Sequence, residues 1–192
     1  MFGEKSATLM NMKGDAAFGV AVDYVLRREG VLSDHAKDPG GLTKYGIAKA
    51  YHPNVDIANL TVEGALAIYK EEYWTRWHCE EMPAMWAIAI FDGVVNQPPY
   101  TTSPEPVEDG VIEMMQRTMR LLPDGKVGPK TIAALWKSAQ SDHALEDLAD
   151  FLSRRGYRYH RKSQDVFVRG LLRRMVLTAL FAANYTVDAA VD

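Results

Sequence analysis

Between Ala84 and Val95 the chain passes through Met85, Trp86, Ile88, Ile90, Phe91, Val94 and Val95 with Asp92 as its single charge. Pro83 precedes the run, where a first helical turn tolerates proline, and no proline interrupts it. A helix that is apolar on every side must be surrounded by other elements, so the stretch predicts the central helix of a mainly α fold. It falls short of the roughly eighteen uninterrupted apolar residues of a membrane span. A chain of 192 residues is long enough to wrap such a helix in one well-buried core.

The neighbouring segments supply the wrapping. From Ala16 to Glu29 the residues Phe18, Val22, Val25 and Leu26 recur at spacings of three and four, and Gly30 follows, which predicts an amphipathic helix with a glycine stop. Val31 to Lys44 carries Ser33, Asp34, Asp38, Pro39, Gly40 and Gly41, a density of turn formers that fits a structured loop or small hairpin. Thr61 reads as the N-cap of a helix through Trp77, with Glu63 suited to the positive end of its dipole. Gln97 to Pro106 contains Pro98, Pro99, Pro104 and Pro106 and predicts an exposed loop or subdomain boundary. It divides the chain into 1–97 and 98–192, the second part expected to pack on the first as one compact unit. Beyond it, Asp109 reads as the cap of a helix to about Leu122 and Asp124-Gly125 as a turn. Pro129 then opens a helix to Lys137, and helices from Asp142 to Lys162 and Asp165 to Ala183 complete the chain. No alternating strand pattern longer than a few residues interrupts this series.

The formal charge of −3 conceals an asymmetry. Between Phe151 and Arg174 eight cations face one acid, Asp165, which predicts a basic, solvated helical face attracted to anionic surfaces. No aromatic-basic motif of a nucleic-acid module accompanies it, so nucleic acid is not the expected partner. Cys79 is the only cysteine, which excludes an internal disulfide and fits a buried, reduced thiol. His35, His52, His78, His143 and His160 include no pair at zinc-binding helical spacing, and neither a G-x-S-x-G elbow nor a phosphate-cradling glycine loop occurs. No metal and no cofactor are expected, and the chain is expected to act as a monomer. Met1 to Ala17 lacks the positive end plus apolar run of a secretory signal, so the expectation is synthesis in the cytoplasm.

Glu29 follows Val25 by four residues and Leu26 by three, so it belongs to the apolar stripe of its helix. Burial disfavours the ionised carboxylate, and the negative end of the helix dipole does the same, so both effects raise its pKa. That is the preparation a general acid needs at neutral pH. Nine residues on stands Asp38, then Pro39-Gly40-Gly41-Leu42-Thr43-Lys44-Tyr45-Gly46-Ile47, which puts a second carboxylate and a hydroxyl on a glycine-shaped turn after the helix. An acid at a helix end facing an acid or hydroxyl across a cleft is the arrangement glycoside hydrolysis requires.

These residues resemble the N-terminal signature of the glycoside hydrolase family 108 muramidases. Tyr73-Trp74 and Phe91-Asp92-Gly93-Val94-Val95-Asn96 resemble that family's second helical signature, and Gln116 with Asp124-Gly125-Lys126-Val127-Gly128-Pro129-Lys130-Thr131 its C-terminal peptidoglycan-binding segment. In order along the chain they span about Asp23 to Leu135. Two departures stand out: Val31-Leu32 after Gly30, and Gln97-Pro98-Pro99-Tyr100 where the family has a short glycine loop after the asparagine.

The resemblance implies a lysozyme-like helical fold and cleavage of the β-1,4 bond between N-acetylmuramic acid and N-acetylglucosamine in bacterial peptidoglycan. It assigns Glu29 as the acid that protonates the leaving oxygen. A water held by Asp38 or Thr43 then attacks from the other face, with inversion the expected course. Asp38 alternatively only shapes its turn. Tyr45, Tyr73 and Trp74 offer aromatic faces for pyranose rings, and Asp92 and Asn96, an i, i+4 pair, line the site or bond to neighbouring loops. The implied setting is a phage endolysin, made in the host cytoplasm and released to the wall. Two alternatives stay open: a lytic transglycosylase, which uses one glutamate and no water, and a non-catalytic wall-binding or secretion-associated protein.

Overall fold

The computed structural model describes residues 14–29, 32–33, 42–100, 109–162 and 165–184. The first helix, α1, runs Gly14–Glu29. Short strands β1 (Leu32–Ser33), β2 (Thr43–Lys44) and β3 (Ile47–Ala48) follow as an antiparallel sheet in sequence order. Ser33 pairs with Thr43, and Thr43 in turn with Ala48. Tyr45 and Gly46 connect β2 to β3 with φ of 52° and 78°. Positive φ at both central residues is what a two-residue hairpin turn of the I′ kind demands, so the strands close without splaying.

Helix α2 (Val62–Ile68) begins at Thr61, whose Oγ1 accepts the Gly64 N–H at 3.1 Å. The helical path continues as a π-helical turn over Tyr69–Trp74 and a 3₁₀ turn over Thr75–Trp77, reverses at His78 with φ 55°, and gives a second 3₁₀ turn over Cys79–Glu81. The i→i+5 bonding of the π turn widens the helix, so Tyr69 and Trp74, five residues apart, both face the core.

The apolar run forms α3 (Ala84–Asn96), with every residue from Ala84 to Val94 buried. α1 packs along it, and Phe18, Trp74, Tyr69 and Phe91 meet edge to face, ring centroids 5.3–6.2 Å apart. Each such side chain taken wholly out of water contributes about 1.5–3 kcal/mol. α4 is Val111–Thr118, α5 Pro129–Ala139, α6 Ala144–Lys162 and α7 Asp165–Ala183, and α4, α5, α6 and α7 all contact α3. Trp136 of α5 donates its Nε1–H to the Glu81 carbonyl at 2.9 Å, a further tie between the two parts of the chain.

The helix around 111–118 departs from its expected form. Gly110, not Asp109, is the N-cap, and Glu113 Oε2 accepts the Gly110 N–H at 2.7 Å. The Asp109 carboxylate instead pairs with Arg117, and its carbonyl accepts from Arg158. The helix stops at Thr118, before Arg120 takes a φ of 56°. The start of the proline-rich segment is stitched down: the carbonyls of Pro98 and Pro99 accept the N–H groups of Val111 and Ile112 at 3.0 and 2.8 Å. Residues 101–108 lie outside the described residues.

Candidate active site

Glu29 is the last residue of α1, one turn beyond the fully buried Val25. Its side chain lies outside what the structure describes, and Asp38 lies outside the described residues altogether. α1 is held to α7 by a 3.0 Å hydrogen bond between the Tyr24 hydroxyl and Thr178 Oγ1 and by the Tyr24 and Phe181 rings, stacked at 4.5 Å. Pairing of Ser33 with Thr43 sets the half-buried Thr43 opposite a residue only four positions beyond Glu29.

The hairpin carrying Thr43 is clamped from two sides. Lys44 donates from Nζ to the Ala58 carbonyl at 3.1 Å, and the Tyr69 hydroxyl donates to the Tyr45 carbonyl at 2.9 Å. Tyr45 is half-buried with the Lys44 ammonium 5.7 Å from its ring centroid. Tyr73 follows one turn after Tyr69, their ring centroids 5.7 Å apart. Burial, more than the adjacent Glu72, pushes its hydroxyl pKa up, so at neutral pH it is a neutral hydrogen-bonding group. Tyr69 therefore links Tyr73 to the hairpin of Thr43 and Tyr45, whose first strand pairs with Leu32–Ser33 shortly after α1.

Two of the expected sugar contacts, Trp74 and Asp92, fall elsewhere. Trp74 has no exposed surface; its ring is held edge-on by Phe18 and Phe91, and it is a core residue rather than a platform for sugar. The π turn explains the difference, because it rotates position 74 inward. Asp92 is 1 % exposed and its carboxylate is fully engaged: Arg155 donates to Oδ2 from Nη1 and Nη2 at 3.1 and 3.0 Å, and Arg174 donates to Oδ1 from Nε at 2.8 Å. Asn96, half-buried, donates from Nδ2 to the Asp92 carbonyl at 2.7 Å, the back-bond of a residue one helical turn on.

The same network corrects the reading of the basic segment as a uniformly solvated face. Arg155 is 0 % exposed, donates from Nε to Gln97 Oε1 at 2.8 Å, and its carbonyl receives Gln97 Nε2 at 3.3 Å. Arg154 pairs with Asp150 at 2.9 Å. Arg161, Arg169 and Arg173 remain exposed, with no ion pair among the described residues. Sequence reasoning missed the buried pair, although one acid inside an all-apolar helix is a signal that a buried cation must meet it.

In the second part of the chain Gln116, 2 % exposed, organises the Asp124-Gly125 turn. Its Nε2 donates to Asp124 Oδ1 at 2.7 Å and to the Lys126 carbonyl at 2.9 Å, while its Oε1 accepts the Gly125 N–H at 2.9 Å. Gly125 has φ 69°, a conformation that favours glycine. The N–H of Lys126 and then the Gln116 amide hold the Asp124 carboxyl below the usual aspartate range. Beside this turn lies a cavity of about 520 Å³ lined by Leu121, Leu122, Lys126, Pro129, Lys130 and Thr131 among others.

Among the described residues, His78, Glu80 and Glu81 are a trio that could hold a cation, their ligand atoms within 4.8 Å of one another. His78 and Glu81 are exposed and Glu80 is half-buried, and His78 Nδ1 and Glu81 Oε1 already meet at 2.9 Å. Cys79 beside them is completely buried, and burial pushes its thiol well above the ordinary range, so it neither ionises nor ligates.

Residues 22–97 match the family described as glycosyl hydrolase 108, and residues 111–176 match one described as a predicted peptidoglycan domain. The solved structure of Brucella abortus SagA is similar at 26% sequence identity and a TM-score of 0.69, covering 92% of this chain and 99% of that one. No curated protein sequence matches the chain. Together these matches support a glycoside hydrolase acting on peptidoglycan, with residues 22–97 similar to the glycosyl hydrolase 108 family and residues 111–176 similar to the predicted peptidoglycan domain.

Proposed function

We propose that the chain hydrolyses the β-1,4 bond between N-acetylmuramic acid and N-acetylglucosamine, with Glu29 as general acid. The observation that carries this reading is the position of Glu29 at the end of α1, inside the glycosyl hydrolase match and three residues before the strand that pairs with the hairpin held by Tyr69 and Lys44. A carboxyl at a helix C-terminus is biased toward its protonated form, as a proton donor must be. Thr43, on that hairpin, or Asp38 orients the attacking water, and inversion follows if the second group stands back far enough to leave room for it. Tyr45 and Tyr73 supply aromatic faces and hydroxyls for the glycan, and Asn96 lines the site from α3. The Gln116-braced turn and its neighbouring cavity support wall binding by the second part of the chain.

The setting we attach to this chemistry is host lysis of the endolysin kind, by a monomer made in the cytoplasm and released to the wall. The exposed Arg161, Arg169 and Arg173 support attraction to anionic envelope components. The test is digestion of purified peptidoglycan by the parent and Glu29→Gln chains, with the products weighed. Products carrying one added water support hydrolysis, and anhydro-muramic ends indicate transglycosylation instead. Sacculus binding without release of soluble sugars by the parent indicates a wall-binding protein.

A further inference from the structure

The outer surface of α6 and α7 carries an apolar patch that the wall-cutting reading does not use. Tyr157, Leu172, Val176 and Leu180 are 58%, 45%, 59% and 63% exposed. Between the helices runs an open groove of about 630 Å³ lined by Leu152, Gly156, Tyr157, Leu172, Met175 and Val176 among others. Gly156 deepens it, since even a methyl group there would touch Leu172 at 3.5 Å. Apolar surface gathered in this way on a soluble chain marks a place where something else binds.

The charges around the patch say what. At about 100° per residue, Arg169, Leu172, Arg173, Val176 and Leu180 fall within one arc of about 100° on α7. Arg169 and Arg173 bracket Leu172 at its start, and Val176 and Leu180 follow. Arg161 and His160 add to the same rim from the end of α6. Exposed guanidiniums beside an aliphatic crest, with an amphipathic tyrosine at its edge, are the composition of a helix lying in the headgroup region of an anionic bilayer. A second copy of the chain fits poorly, because a two-fold contact through this patch would bring the arginine rims of both copies together. Nucleic acid fits poorly too, since phosphates gain nothing from the aliphatic crest.

We propose that the α6–α7 face is an interfacial site that seats the chain on an anionic lipid surface, with Leu172, Val176 and Leu180 entering the headgroup boundary and Arg161, Arg169 and Arg173 meeting lipid phosphates. No helix among the described residues is long and apolar enough to cross a membrane, so the association is peripheral. It extends the electrostatic attraction proposed above by an apolar component, and it stands or falls independently of the chemistry at Glu29.

The test is flotation of the full chain with vesicles of phosphatidylglycerol and phosphatidylcholine, and with phosphatidylcholine alone. The parent is expected to partition at least tenfold better onto the anionic vesicles. The charge-neutral double variant Val176→Ser/Leu180→Ser is expected to lose that partitioning at least tenfold, while its circular dichroism and its action on purified peptidoglycan match the parent's. Arg169→Glu/Arg173→Glu is expected to lose it as well. Three results would overturn the proposal. They are a parent that leaves anionic vesicles unbound, a serine variant that binds as the parent does, and light scattering that shows a dimer abolished by the serine pair.

Discussion

Arg155 of α6 and Asp92 of α3, 63 residues apart in the chain, meet through two hydrogen bonds of 3.0 and 3.1 Å at 0 % and 1 % exposure. Arg174 of α7 closes the carboxylate from its other oxygen at 2.8 Å. One acid in the central helix thus ties down the last two helices of the chain. Replacing Asp92 by Asn takes the counter-charge from two guanidiniums, and Arg155→Leu strips Asp92 Oδ2 and Gln97 Oε1 of their buried donors, leaving Arg174 as the carboxylate's cation. Each is expected to cost about 3–5 kcal/mol, read as a lower chemical-denaturation midpoint. The double replacement Asp92→Leu/Arg155→Leu is expected to recover part of the loss, because the two fully buried charges leave together and only the Arg174 contact to Asp92 is lost.

Gly93 lets this network form. A methyl group there would stand 2.6 Å from Val111 Cγ1 and 3.4 Å from Arg155 Cζ. Gly93→Ala is therefore expected to destabilise the chain by about 1–3 kcal/mol through overpacking, outweighing the better helix propensity of alanine. Thermal unfolding beside the parent reads the sign.

Asp124 gives a pH-dependent prediction. Its folded-state pKa is depressed, mainly by the Lys126 N–H and the Gln116 amide. Its contribution is thus present above the ordinary aspartate range and is lost as pH falls through the folded value. The stability advantage of the parent over Asp124→Asn is expected to hold at neutral pH and to shrink below pH about 4. Denaturation midpoints of the two chains across that range provide the check.

Cys79 has no exposed surface and a thiol held protonated by burial. The native chain is expected to resist an aromatic disulfide reagent for as long as it stays folded, and to react at once in denaturant. Rapid labelling of the native chain would place the 3₁₀ turn at Cys79–Glu81 in a looser state than the structure describes.

What the sequence disclosed was what local rules govern. The apolar run, the Thr61 cap, the Pro129 start and the Asp124-Gly125 turn depend on residues a few positions apart, and each element stands where its pattern pointed. Asp92 was legible as an anomaly but not as an ion pair, because its partners are 63 and 82 residues away. Trp74 carries the aromatic signature of a sugar platform, and only the switch from α to π bonding after Ile68 turns it inward. Asp109 has the side chain of a cap and is claimed by Arg117, a tertiary choice that overrides propensity. Within the candidate site, the hairpin with Thr43 and Tyr45 was anticipated as a loop or hairpin region. The clamp from the Tyr69 hydroxyl was not, since it depends on which way a tyrosine 24 residues on faces.

The central claim is that the carboxyl closing α1 donates the proton to the departing sugar. Release of soluble muropeptides from purified sacculi by the parent and Glu29→Gln chains, both verified as folded by circular dichroism, tests it most directly. The account predicts a fall of at least a hundredfold in rate for Glu29→Gln, in line with the loss of a general acid, with sacculus binding retained. Muropeptide release by Glu29→Gln at the parent's rate would contradict it.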